Sequence, residues 1–166
     1  MESSILARLK EKFPESILQS AEVRGELTVV VRKEDIVSVC TFLRDDTELS
    51  FDFLSDLTAV DHLGREPRFD VVYHLYSLGK NRRLRLKVKV GEGESVPSVT
   101  SVWSAANWLE REVFDMFGIR FDYHPDLRRI LMPDDWVGHP LRKDFPLTRE
   151  EVQFTHNKNR PPKIQP

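Results

Sequence analysis

Residues 69–90, FDVVYHLYSLGKNRRLRLKVKV, decide the fold of this chain. Residues 69–78 are rich in aromatic and β-branched side chains, which favour a strand. From Arg83 to Val90 charged and aliphatic side chains alternate without interruption, so the aliphatic ones share one face of a second strand. Between the two runs, Gly-Lys-Asn at residues 79–81 is typical of a hairpin turn. The stretch therefore predicts an antiparallel pair of strands with one buried face.

Apolar residues at helical or strand spacing continue on the N-terminal side of this hairpin. They predict, in order, a helix over residues 4–13, a strand over 27–31, a helix over 34–44 and a strand over 49–53. Cys40 falls on the inner stripe of the second helix, so we interpret it as a small core hydrophobe and not as a reactive thiol. This order of elements predicts an α+β fold, in which a mixed or antiparallel sheet is covered by helices on one face.

Composition excludes several classes of function. The chain has 166 residues, enough for one compact domain with an arm. Its 25 basic and 27 acidic residues give a net charge of −2, unlike the basic excess of a nucleic-acid binder. A single cysteine allows no internal disulfide and no iron–sulfur cluster, which typically takes about four thiolates. No apolar run approaches the roughly 18 residues of a membrane span, so we expect membrane association only through a partner.

The alternation of the second hairpin strand also creates a basic face. Its members are Arg83, Arg85, Lys87 and Lys89. Such a face is either a solvated outer surface or a docking surface for an acidic partner. No aromatic residue interleaves with the four charges, which argues against a platform for single-stranded nucleic acid.

A second informative stretch is NWLEREVFDMFGI, residues 107–119. We predict a helix that opens near Ser98, is broken near Asn107 and ends at Phe117. Asn107 followed by Glu110 resembles a capping box. Gly118 fits the left-handed residue that closes a helix.

At helical spacing the core stripe of this stretch comprises Ala106, Leu109, Val113, Met116 and Phe117. Glu110 and Glu112 flank the stripe, and Asp115 lies on the Glu112 side. Arg111 and Phe114 point away from it. An outward aromatic residue on a charged helix indicates either a second contact surface or a single exposed hydrophobe.

The loop after the helix contains two adjacent arginines, Arg128 and Arg129. Guanidinium groups bind carboxylates through two parallel bonds, and the candidates are Glu110, Glu112 and Asp115. Glu110 and Glu112 could instead act as the acid and base of a free-standing hydrolase, which requires pKa values held apart. Nearby arginines would keep both carboxylates ionised, so we expect structural ion pairs.

Two histidines in this region, His124 and His139, each precede a proline. The five histidines of the chain show no spacing typical of a metal site. We interpret both as turn histidines that bond to nearby backbone, in preference to ligands or proton carriers.

The domain organisation follows from the prolines and from the loss of periodicity. We predict an α+β domain over residues 1–118, a loop segment over 119–147 that docks on partners, and an extended C-terminal arm over 148–166. The last two segments have too little periodic apolar surface to order alone, so a partner is expected to order them.

Several stretches carry a family resemblance: ERE at 110–112 with Asp115, FGI at 117–119, HPDLRRIL at 124–131 and GHPLRKDFP at 138–146. Together they resemble the signature of the C subunit of the bacterial NADH–quinone oxidoreductases, respiratory complex I. DLTAVD at 56–61 resembles the same family more weakly. One departure is Tyr123, where a glycine is expected before the His-Pro pair.

The resemblance implies a scaffold in the peripheral arm of a proton-pumping enzyme, with no catalytic residue and no cofactor in this chain. FMN and iron–sulfur clusters would belong to partner subunits, and NADH and quinone would be substrates of the whole complex. The residues expected to be structural or to lie in interfaces are Glu110, Arg111, Glu112, Phe114, Asp115, His124, Asp126, Arg128, Arg129, His139, Arg142, Lys143 and Asp144.

The resemblance also implies partners and a location. The expected neighbours are the D subunit, which shares the quinone pocket, and the cluster-bearing B and I subunits, on the cytoplasmic side of the bacterial cell membrane. An alternative within the same resemblance is the equivalent module of a membrane-bound nickel–iron hydrogenase or a related dehydrogenase. No nucleic-acid partner is expected.

Overall fold

The structure is a computed structural model that describes the backbone of residues 2–146 and the side chains of residues 4–146. Its elements are α1 (Glu2–Lys12), β1 (Ile17–Val23), β2 (Glu26–Val31), α2 (Ile36–Asp45), β3 (Phe53–Asp61), β4 (Phe69–Ser77), β5 (Arg82–Val90), β6 (Ser95–Pro97), α3 (Ala106–Phe117) and β7 (Arg120–Asp122). A short 3-10 turn, Lys33–Asp35, leads into α2. The expected tail over residues 148–166 lies outside the described residues.

The main sheet has five strands in the order β1-β2-β5-β4-β3. All neighbouring strands are antiparallel except β2 and β5, which run parallel. The predicted hairpin is confirmed, since β4 and β5 pair from Phe69 opposite Val90 to Ser77 opposite Arg82. A second, two-stranded sheet joins β6 and β7. Together with three helices this gives the α+β fold with a mixed sheet that the sequence predicted.

One hydrophobic core joins the sheet to the helices. The aliphatic face of β5 is buried as predicted, and Val29, Val71 and Tyr73 on neighbouring strands are fully buried beside it. Buried side chains of α1, α2 and α3 belong to the same cluster. Cys40 is fully buried among them, which confirms its place in the core. Each large apolar side chain buried in this way contributes about 1.5–3 kcal/mol.

The basic face of β5 lies on the opposite side of the sheet and finds partners within the chain. Arg85 is 2.6 Å from Glu26, and Lys87 is 3.6 Å from Asp70. Arg83 lies over the ring of Tyr76, 5.5 Å from its centroid. Much of the charge on this face is therefore balanced internally.

Strands β1, β6 and β7 were not predicted, and three expectations about the elements are wrong. The strand expected over residues 49–53 is a loop, in which Leu49 and Phe51 are buried, and β3 begins only at Phe53. Residues 98–105 form turns and not a helix. Helix α3 begins at Ala106 without a side-chain cap, so the proposed capping box does not form.

The end of α3 is as predicted. Gly118 has φ 76°, and its N–H donates to the Phe114 carbonyl at 2.9 Å. This left-handed cap turns the chain back along the helix, so residues 119–146 cover one flank of α3 while β3 lies against the helix as well. In the part of the chain that the structure describes, no helix combines the length and apolarity needed to cross a membrane.

Candidate functional site

Three charged side chains lie inside the protein on α3: Glu110, Arg111 and Asp115. Charge is costly to bury unless it is paired and hydrogen-bonded. Each of these groups therefore needs partners, and the partners come from segments that precede and follow the helix.

Asp115 fastens the returning segment to the helix. One carboxylate oxygen lies 2.5 Å from the Arg129 guanidinium. The other accepts the backbone N–H groups of Ile130, Leu131 and Met132 at 3.1, 2.8 and 2.8 Å. Burial alone would raise the pKa of Asp115, but these N–H donors and Arg129 outweigh it and lower the pKa. The expected pairing of an arginine with Asp115 is confirmed.

The same segment is held by further bonds to backbone. Arg129 donates to the Gly138 carbonyl at 3.1 Å. Arg111 donates to the carbonyls of Arg128 and Arg129, each at 3.1 Å, and lies 5.2 Å from the centre of the Trp108 ring. The expectation that Arg111 faces outward is therefore wrong, because residues 128–129 cover it.

His139 closes the contact at the end of α3. Its Nδ1 lies 2.9 Å from the Asp115 carbonyl, so Nδ1 carries the proton and donates. The ring lies so close to Gly118 that a Cβ there would be 2.6 Å from Cδ2 and Nε2. Phe114 meets the same ring edge-on, with centroids 6.4 Å apart. The second contact surface expected of Phe114 is thus partly occupied by the chain itself.

Glu110 is fully buried, and its partners correct our expectation. Its carboxylate accepts the Ser98 hydroxyl at 2.6 Å and the Val99 N–H at 2.7 Å, with no arginine among its hydrogen-bond partners in the described part of the chain. Burial raises the pKa of Glu110 to about 7, although these two bonds work in the opposite direction. The carboxylate therefore ties the turn at residues 98–99 to α3.

His124 is buried beside this carboxylate, with Nε2 at 3.9 Å from Glu110. Nε2 lies 3.1 Å from the Asn107 carbonyl, and Nδ1 accepts the Asp126 N–H at 3.0 Å. These two bonds select the neutral tautomer with the proton on Nε2. His124 and His139 both bond to nearby backbone, as their turn positions indicated.

The raised pKa of Glu110 predicts a pH-dependent contribution to stability. Between about pH 4.5 and 7 the unfolded chain releases this proton while the folded chain retains it. The contribution of Glu110 to the free energy of unfolding should therefore fall by about 1.4 kcal/mol per pH unit across the middle of this window, then level off. Glu110→Gln has no proton to lose and should remove that decline.

Glu112→Gln, on the exposed face of the helix, is the control and should follow the wild type. Urea unfolding at several pH values measures the difference. A difference in the free energy of unfolding between wild type and Glu110→Gln that stays constant with pH would contradict the prediction.

The remaining expected site residues on this flank are exposed. Glu112 makes no hydrogen bond or ion pair within the described part of the chain. Asp126 and Arg128 pair with each other at 2.8 Å in solvent. Glu110 is inside and Glu112 outside, so the two carboxylates do not form the acid–base pair of a hydrolase. The arginine pairing expected for Glu110 and Glu112 is wrong.

A second charged cluster, which the sequence reasoning missed, holds the end of the described chain. Arg68 is almost wholly buried and bonds Asp61 through two parallel contacts of 2.9 and 2.8 Å. It also reaches Asp144 at 2.9 and 3.0 Å. Hydrogen bonding to Asp61, then to Asp144, raises the pKa of Arg68, so its charge is permanent. No periodic pattern in the sequence marks this cluster, because its members lie far apart in the chain.

Neighbouring residues of the GHPLRKDFP stretch strengthen this anchor. Arg142 donates to the Phe117 carbonyl at 2.7 Å and lies over the Phe69 ring. The backbone N–H of Lys143 donates to Asp61 at 2.8 Å, while its side chain is exposed. Residues 138–146 therefore dock on the domain of their own chain, where we expected a partner to hold them.

Tyr123, the departure from the expected pattern, has φ 64°. A left-handed residue at this position explains why a glycine was expected there. Among the described residues no three histidine, cysteine, aspartate or glutamate side chains are grouped as metal ligands.

The comparisons with known proteins agree with this architecture. The family described as "Respiratory-chain NADH dehydrogenase, 30 Kd subunit" matches residues 29–151. The chain belongs to this family. As a member of the 30 Kd subunit family it is similar to the C subunit of NADH-quinone oxidoreductase from Roseiflexus sp. (strain RS-1), 60% identical over 159 residues, covering 95% of this chain and 91% of that protein. The protein of the same name from Geotalea uraniireducens (strain Rf4) is 60% identical over 141 residues, covering 84% and 85%.

A solved structure extends the similarity of this 30 Kd subunit family member to another respiratory assembly. One chain of the "membrane-bound sulfane sulfur reductase (MBS), an archaeal respiratory membrane complex" superposes with a TM-score of 0.73. It is 27% identical and covers 89% of this chain and 86% of that chain. The family match and the two relatives confirm, at the level of the family, the resemblance that residues 107–147 carry.

Proposed function

We propose that this chain is the C-type subunit of an NADH–quinone oxidoreductase and acts as a scaffold of its peripheral arm. NADH oxidation and quinone reduction take place in other subunits, whose relative positions this chain fixes. One observation carries the proposal: the charged side chains Asp115, Arg129 and Arg142 are bonded to atoms of the chain itself. These bonds hold the C-terminal segment rigidly against the domain, which suits a subunit on which other subunits dock. They also leave none of the three side chains free to act on a substrate.

The proposal assigns the cofactors to the partners. FMN and the iron–sulfur clusters belong to other subunits, and this chain binds neither. Its single cysteine, Cys40, is buried in the core, where burial raises the pKa of the thiol and keeps it protonated. Thiolate is the form that ligates iron, so Cys40 is a poor ligand.

The proposed partners are other subunits of the same complex, in particular the D subunit at the quinone pocket and the cluster-bearing B and I subunits. Relatives named as the C subunit of NADH-quinone oxidoreductase support this assignment. The chain then lies on the cytoplasmic side of the cell membrane and is held there by its neighbours.

Purification of the tagged chain from its own cells in mild detergent tests the function. We expect large partners, FMN, iron and NADH–quinone reductase activity to co-purify with it, and no turnover or colour from the chain alone. Stoichiometric nickel in place of flavin would instead indicate a hydrogenase-type complex. Recovery of the wild-type chain without any large partner would overturn the proposal.

Truncation after Leu147 tests the role proposed for the tail. We expect the melting temperature of the free chain to be nearly unchanged, because the core and both charged clusters lie within residues 4–146. Retention in the complex should weaken, since the tail is proposed to bind a partner. A tail of the same length and scrambled sequence serves as the control. Strong amide protection of residues 148–166 in the free chain would contradict this prediction.

A further inference from the structure

Tyr123 combines two unfavourable properties. Its φ of 64° is a left-handed conformation that a bulky aromatic residue rarely adopts. Its side chain is 94% exposed, so no packing within the described chain offsets the strain. Residues held in such conformations cluster at functional contacts, where the strain is tolerated for another reason.

The conformation of residue 123 is imposed by both neighbours. Before it, the Asp122 carbonyl accepts the Ser98 N–H at 2.9 Å, which fixes the end of β7. After it, His124 is buried and bonded to the Asn107 carbonyl. The chain must therefore turn left-handed at this point, but glycine or asparagine would make the turn with less strain. The turn explains the left-handed backbone at residue 123, but it does not explain why the side chain there is a tyrosine.

Other exposed apolar side chains accompany Tyr123 on the same flank of α3. The bond from His124 to Asn107 places Tyr123 next to the start of the helix, where Trp108 is 57% exposed. Farther along, the N–H groups held by Asp115 place Leu131, 62% exposed, on the same flank. We call Trp108, Tyr123, Ile130 and Leu131 the Tyr123 strip.

The chemistry of the Tyr123 strip indicates what covers it. Tyrosine and tryptophan are enriched among the residues that dominate binding energy at protein interfaces. Of the charges near it, Asp126 and Arg128 already pair with each other at 2.8 Å, and Glu112 is exposed with no ion-pair partner among the described residues. The four side chains of the strip are themselves apolar or aromatic, so the surface that covers them is apolar where it meets them.

We propose that Tyr123 is an anchor residue whose ring enters an apolar pocket on a neighbouring subunit of the oxidoreductase complex, with Trp108, Ile130 and Leu131 around it. This inference rests on the proposed function. It goes further by naming the surface and the residue through which this chain contacts its neighbour. The backbone strain at residue 123 is the same in the free and the bound chain, so it does not drive assembly; burial of the tyrosine ring against the partner is the term that differs between the two states.

Arg24 supplies a matched control. It has φ 55°, is exposed and lies in the turn between β1 and β2, outside the Tyr123 strip. Tyr123→Gly and Arg24→Gly relieve the same kind of strain, so both should raise the urea midpoint of the free full-length chain. Only Tyr123→Gly should lose retention in the purified complex, by about tenfold or more, as expected for an interface anchor. Tyr123→Phe keeps the ring and should be retained.

The outcomes separate the possibilities. Equal retention of Tyr123→Gly and wild type would overturn the inference while leaving the proposed function intact, whereas failure of the wild-type chain to co-purify would remove the function itself. A lower midpoint for full-length Tyr123→Gly, absent after truncation at Leu147, would assign the ring to the chain's own tail and also overturn the inference. Photo-reactive benzoylphenylalanine placed at Tyr123 should crosslink to another subunit, and the same group at Leu78, exposed in the β4–β5 turn, should not. Absence of a crosslink from position 123 in an assembled complex would count against it.

Discussion

Asp115→Ala should lower the free energy of unfolding by about 3–5 kcal/mol, the range for removing one partner of a buried ion pair. The substitution leaves the Arg129 guanidinium without its carboxylate and three backbone N–H groups without an acceptor. Urea unfolding measures the loss. Hydrogen exchange should show early opening at residues 130–132, because their amides lose their acceptor.

Asp115→Asn and Asp126→Asn complete this test. Asp115→Asn keeps one acceptor oxygen but replaces the other with an NH2 group. That group would face the N–H donors that Asp115 now binds, so we expect most of the loss in stability to remain. Asp126 is exposed and paired only with Arg128 in the described part of the chain, so its substitution should change stability by about 0.5 kcal/mol or less. A fully stable Asp115→Asn variant with protected amides at 130–132 would show that the carboxylate does not hold the segment.

Arg68→Leu should have an effect of similar size, about 3–5 kcal/mol, for the same reason. It leaves Asp61 ionised and buried, with the Lys143 N–H as its remaining donor among the described residues, and it frees Asp144 from the domain. Besides lower stability in urea, we expect faster proteolysis within residues 138–146.

The control for Arg68→Leu is Arg128→Leu, which removes an arginine whose side chain is 70% exposed and should be nearly neutral. The double variant Asp61→Leu/Arg68→Leu should recover part of the loss, since it removes both buried charges together. If Arg68→Leu unfolds like the wild type and resists protease, the cluster does not hold the C-terminal segment.

The parts of the fold that the sequence predicted well are those whose pattern is local. Strand β5 alternates perfectly and α3 has a helical stripe, so each could be recognised without its neighbours. Strand β1 was missed because it is an edge strand whose side chains are nearly all exposed, which removes the alternation. Residues 98–105 were misassigned: the sequence was interpreted as the start of the helix, but these residues form a series of turns.

The site was predicted less completely, because its pairings depend on contacts distant in sequence. Glu110 was expected to pair with a nearby arginine. Instead, the turn that carries Ser98 packs against its carboxylate and excludes solvent. Arg68 has three acidic partners, Asp61, Glu92 and Asp144, that no spacing rule connects. The available signals were Asp61, which ends β3, and the two arginines of the β3–β4 loop, Arg65 and Arg68. Asp115 and Arg129 were found because both stand in a recognisable motif.

The parallel pairing of β2 with β5 sets the order in which the chain can fold during its synthesis. Thr28 pairs with Arg85, a separation of 57 residues. At roughly 5–20 residues per second, a ribosome needs about 3–11 s to make the intervening chain. Throughout that interval the residues of β2 have been made, but β5, the strand that pairs with the inner edge of β2, has not. Because an unpaired strand edge is prone to aggregation, this delay is the interval in which a nascent chain most needs protection by a chaperone.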